Sequence, residues 1–198
     1  MTNQMTNIKL NSKKILMFLL TIIAILVGLS IWGQHMRFFG VADIRGAWHE
    51  FLIDQMINNF YLDYEGNVPS YINALLLFIP SLLLACIGAW KSSIRDKFRF
   101  QWNGLALIFF LLSVDEIASF HEELIKPMRA IFGSEGIFYF AWIIPGMIAI
   151  ALFGLMYLMY FLHLENKFKL LFFLSLAAYL GGVVGGEIVS GYFAANLG

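Results

Sequence analysis

A chain of 198 residues with 60% hydrophobic and 13% charged side chains lies far from the soluble norm of about 45–50% and about 25%, so its intended solvent is a bilayer. Lysine plus arginine equals aspartate plus glutamate at 13 each, which leaves no whole-molecule charge to attract nucleic acid. The single Cys86, set in an apolar run, excludes an intrachain disulfide and a multi-cysteine metal or haem motif.

The composition predicts an all-α integral membrane helical bundle, one transmembrane domain over residues 1–198. Stretches free of Asp, Glu, Lys and Arg run over 15–36, 66–90, 100–114, 136–162 and 170–186. A spanning helix needs about 20 mostly apolar residues, so the third and fifth stretches are long enough only when their terminal acids join the helix. Five spans follow, near 15–34, 70–90, 102–122, 137–162 and 170–192. The first reads as a retained anchor, because its apolar part exceeds the roughly 7–15 residues of a signal-peptide core and no small-x-small cleavage site follows it. With the amino terminus inside, the inner segments hold Lys9, Lys13, Lys14, Lys91, Arg95, Lys97, Arg99, Lys167 and Lys169, against Arg37, Arg45, Lys126 and Arg129 outside. That asymmetry orients the chain with its amino terminus in and its carboxyl terminus out.

Between the first two spans, residues 41–60 have helical amphipathicity. Asp43, Glu50, Asp54 and Asn58 fall on one side, and Ile44, Trp48, Leu52 and Met56 broadly on the other. An outer surface helix is expected there, with His49 on the side turned toward membrane or protein.

The third span ends in "SVDEIASFHEE". Counted from Trp102, Asp115 lies about 20 Å into a core about 30 Å thick. His121 and Glu122 reach the outer boundary, and Glu187 on the fifth span comes to a similar depth. On a straight helix Ser119 and Glu122 fall within about 40° of Asp115, whereas His121 points about 120° away. One ion can therefore gather these groups only between helices or at a distortion. No lysine or arginine shares the depth of Asp115 and Glu116, so the acids must be protonated, cation-bound or wet.

In the fourth span, Pro145 and Gly146 stand where they could kink the helix beside these groups. The fifth span, "AAYLGGVVGGEIVSGYFAA", carries small residues at Gly181, Gly182, Gly185, Gly186, Ser190 and Ala194. Such a face lets another helix approach closely, either within the bundle or from a second copy or a membrane-complex partner.

Carboxylates and imidazoles without thiolates suit a divalent metal such as zinc, manganese or iron. The candidate ligands are His121, Glu122, Glu187 and His49, with Asp115 and Glu116 as candidate catalytic carboxylates. No HExxH, ExxH or nucleophile-elbow pattern is present to fix a reaction.

"SVDEIASFHE" resembles the motif S-x-D-E-x-x-x-x-H-E of small bacterial multi-pass membrane proteins, in which a glutamate also appears in a late glycine-rich helix, here "GGEIVSG" around Glu187. The resemblance implies a multi-pass protein of the bacterial cytoplasmic membrane that uses these residues together, and it carries no reaction. Three classes of function stay open. One is a metal-binding membrane protein acting on a lipid or other membrane-associated substrate. The others are a proton- or cation-coupled transport component and a non-catalytic scaffold or assembly subunit.

Overall fold

The computed structural model describes residues 11–39, 46–132 and 143–197, and every regular element among them is a helix. The chain forms two units, Met1–Ala74 and Leu75–Gly198.

In the first unit, Asn11 Oδ1 accepts the amides of Lys13 (3.1 Å) and Lys14 (3.3 Å), satisfying amides that have no helical partner at the start of α1, Ser12–Phe39. The helix outruns the expected 15–34 at both ends, because flanking polar residues keep their backbone bonds inside the helix whatever the surrounding solvent. After Gly46 comes α2, Ala47–Phe60. It packs on α1 through Ile57, only 4% exposed, and a Cβ at Gly33 would lie 3.5 Å from Ile57 Cγ1. Buried Ser30 accepts the Leu62 amide at 3.3 Å. Against α1, the apolar side of α2 is only partly covered. Ile53, Met56 and Ile57 are the more covered residues, while Trp48 and Leu52 stay 78% and 60% exposed. The apolar sector is broad, and the Gly33 contact selects its Ile57 edge. Asn67 then accepts the Ser70 amide through Oδ1 (3.2 Å) and donates to the Tyr61 carbonyl (2.6 Å), capping the start of α3, Val68–Ser93.

In the second unit, the remainder of α3 turns sharply into α4, Arg99–Ala118. Arg95 takes a left-handed conformation, φ 53°, and the Asp96 amide returns to the Lys91 carbonyl at 2.9 Å. The Asp96 carboxylate pairs with Lys91 Nζ at 2.8 Å and accepts the Phe98 amide at 2.8 Å. Those two donors hold it below the usual carboxylate range. Along the hairpin, Ser81 donates to the Ala106 carbonyl at 2.8 Å and Asn103 Nδ2 to Ser92 Oγ at 3.2 Å. Gly88 lies so close to Asn103 that a Cβ there would require the Asn103 side chain to move.

Then follow α5, Phe120–Glu123; α6, Ile125–Phe132; α7, Ile143–His163; and α8, Asn166–Leu197. The core of this unit is aromatic and gathers at the Phe98 end of α4. Phe98, Leu105 and Tyr160 are buried, with Leu84, Trp102, Phe153, Tyr157, Leu164 and Phe172 packed around them. Gly104 admits the Tyr157 hydroxyl, which donates to the Gln101 carbonyl at 3.1 Å. Among the described glycines of this unit, Gly88 and Gly104 are the ones set against another helix. At Gly181, Gly182 and Gly185 a Cβ would meet nothing within 4 Å.

Four helices among the described residues are long and apolar enough to cross a membrane: Ser12–Arg37, Val68–Ser93, Arg99–Ala118 and Ile144–His163. No more than 22% of the apolar window in any of them is buried inside the chain, so their hydrophobic surface faces outward. Water does not tolerate that arrangement, and lipid does. The chain has the construction of an integral membrane protein.

Candidate functional site

The third predicted span, 102–122, does not run through. Its helix stops at Ala118, and Ser119 adopts φ 54° and ψ 35° with its amide on the Asp115 carbonyl at 2.7 Å. Serine and aspartate side chains compete for backbone groups, and here the Asp115 carboxylate does so. Its Oδ1 accepts the His121 amide at 3.1 Å, one of the unpaired donors at the start of α5. Its Oδ2 lies 2.8 Å from His121 Nδ1. The break thus undoes the angular separation expected of a straight helix. His121 comes back onto Asp115 because the backbone reverses its handedness for one residue.

Both side chains are about three-quarters covered, at 22% and 28% exposure. An ionised carboxylate can only accept, so the shared proton belongs to Nδ1, and in the neutral imidazole the lone pair lies on Nε2. A carboxylate behind one imidazole nitrogen fixes the tautomer and aims the other nitrogen, as in the outer shell of metal-bound histidines and in acid–base pairs.

The other expected residues separate into three groups. Glu116 is half-buried beside Asp115 on α4, and Tyr179 of α8 lies within electrostatic reach of both. Tyr179 leaves no mark in the sequence, because a phenol in a glycine-rich helix gives no distinctive spacing. Glu122 and Glu123 sit on α5 with exposed side chains. Glu187 belongs to α8, roughly 12 Å of helix rise beyond Tyr179, and its side chain lies outside the described residues. His49 belongs to α2 in the first unit, and its side chain is likewise outside them. Among the described residues no three His, Cys, Asp or Glu side chains form a group that could hold a metal ion. Pro145 is the third residue of α7 as described.

A family model described as a domain of unknown function (DUF8692) matches residues 15–197. The chain belongs to this family. The match runs from α1 through α8 and so takes in the Asp115–His121 pair and Tyr179. Neither a curated protein nor a solved structure matches the chain.

Proposed function

We propose that this DUF8692 chain is a five-span protein of the bacterial cytoplasmic membrane, amino terminus inside, whose outer side carries a divalent-metal site centred on His121. The supporting observation is the 2.8 Å contact between Asp115 Oδ2 and His121 Nδ1. On this reading Asp115 is an orienting residue and Nε2 the ligating atom. Glu122 and Glu187 are the carboxylates to complete the shell, and Glu116 is the group to move a proton beside it. Zinc, manganese or iron suits such a set, either to activate water or to hold a substrate oxygen. The substrate is membrane-associated.

Elemental analysis of the full chain purified without chelators tests this. Stoichiometric metal in the wild type, lost in His121→Ala and reduced in Glu122→Gln and Asp115→Asn, is the expected result. A metal-free wild type would overturn it. The second reading, a proton-coupled transport component, draws on the same Asp–His pair as a proton relay. It is weakened by the unbroken apolar run from Gly104 to Leu112 on α4. A scaffold or oligomer role finds support in the open faces of Gly181, Gly182 and Gly185, against which a partner helix could pack.

A further inference from the structure

The short helix α6, sequence IKPMRAIF, has eight residues, far below the roughly 20 that a span requires. At 100° per residue from Ile125, Arg129 and Lys126 fall at about 40° and about 100°, while Pro127, Ile131 and Met128 fall at about 200°, 240° and 300°. Cations and apolar side chains thus occupy separate arcs, and the helix holds no acid. The apolar arc is open: Ile131 is 67% exposed, and just before the helix Leu124 is 42% and Phe120 is 61% exposed. Lys126 is exposed as well. Position decides what covers that arc. Only Ser119, α5 and Leu124 separate α6 from the end of α4, a helix of membrane-crossing length, so α6 stays near the hydrocarbon boundary.

We infer that α6 is an interfacial lipid-binding helix, with Lys126 directed at phospholipid phosphates and Leu124, Pro127 and Ile131 entering the acyl boundary. A basic face opposite an apolar one is the composition that lies in the headgroup layer, its apolar side about 5–10 Å deep. Phosphate complements the Lys126 cation, and acyl chains cover what water would not. For the His121 site the consequence is a substrate class: the groups within reach of it are lipid headgroups. That consequence rests on the proposed site, whereas the placement of α6 does not.

Nitroxide labelling of the full chain tests the placement. In a Cys86→Ser background, Ile131→Cys and, separately, Lys126→Cys are labelled and reconstituted in phosphatidylcholine vesicles with and without phosphatidylglycerol. Collisions with oxygen and with a water-soluble nickel chelate are then measured. Oxygen should relax the label at 131 several-fold more effectively than nickel, with the preference reversed at 126. Lys126→Glu should raise nickel access at 131 by weakening the hold on phosphate, most strongly with phosphatidylglycerol present. Equal nickel access at 131 and 126 would mean an aqueous loop, exclusion of both colliders from 131 would mean a protein cover, and no response to Lys126→Glu would remove the phosphate contact. Each of these outcomes overturns the inference, and none depends on whether metal binds His121.

Discussion

Ser119 holds a left-handed backbone, φ 54°, that costs a non-glycine residue roughly 1–2 kcal/mol. Its hydroxyl makes no capping bond there. What offsets the cost is the Asp115 carboxylate, which gains both the amide and the ring of His121. Glycine at 119 should therefore keep the pair and raise stability by roughly 1 kcal/mol, while the β-branched Ser119→Ile strongly disfavours positive φ. In the isoleucine variant α4 should continue into α5 and turn His121 about 120° away from Asp115. Nitrogen NMR of histidine-labelled protein reads this directly. The Nδ1-protonated His121 signal should persist in the glycine variant and disappear in the isoleucine one, and its survival in the latter would show that the break does not depend on residue 119. Asp115 and His121 themselves were legible in the sequence as costly polar groups in an apolar setting. Their contact was not, because neither glycine nor proline marks residue 119 and a uniform 100° step carries no information about a reversal.

At the scale of elements, the α3–α4 hairpin is fastened at its turn and along its length. Asp96 is held below the usual carboxylate range by the Lys91 ammonium and the Phe98 amide. A depressed folded-state value contributes stability that is present above the unfolded carboxylate value, about 3.9, and is lost as pH falls through the folded one. The thermal midpoint in detergent should accordingly fall between about pH 5 and the acid limit, and Asp96→Asn should remove that part of the pH dependence. Further along, Gly104→Ala would drive a methyl group into the Tyr157 hydroxyl, an overpacking that costs typically 1–3 kcal/mol. Adding Tyr157→Phe removes the colliding oxygen, so the double variant should unfold later than the sum of the single changes requires. Strict additivity in the melting data would show that the two residues do not meet. Long apolar runs made these helices readable, since lipid permits no other backbone at that depth. The helix contacts themselves were less legible. Gly88 and Gly104 stand alone in the sequence and acquire meaning only from Asn103 and Tyr157 opposite.

For the whole molecule, the apolar composition made the solvent legible, and the outward-facing hydrophobic surface of the four spans agrees with it. Orientation is tested by substituted-cysteine labelling in a Cys86→Ser background, at the exposed positions Asp63 and Lys97. A membrane-impermeant reagent added from outside should modify Asp63→Cys in intact cells and reach Lys97→Cys only after permeabilisation. Modification of both in intact cells would sink the five-span topology.

The bond from the Ser81 hydroxyl to the Ala106 carbonyl also limits how α3 can slide along α4. Both residues are almost fully buried, and a shift of one helical turn, about 5.4 Å, would break this bond and bring the bulkier Trp102 or Phe110 to the place of Ala106. Such bonds average only about 0.6 kcal/mol in membrane proteins, so Ser81→Ala should melt almost normally. What it removes is the distinction between neighbouring registers. Disulfide trapping across the hairpin would then report a spread of pairings where the native chain gives one.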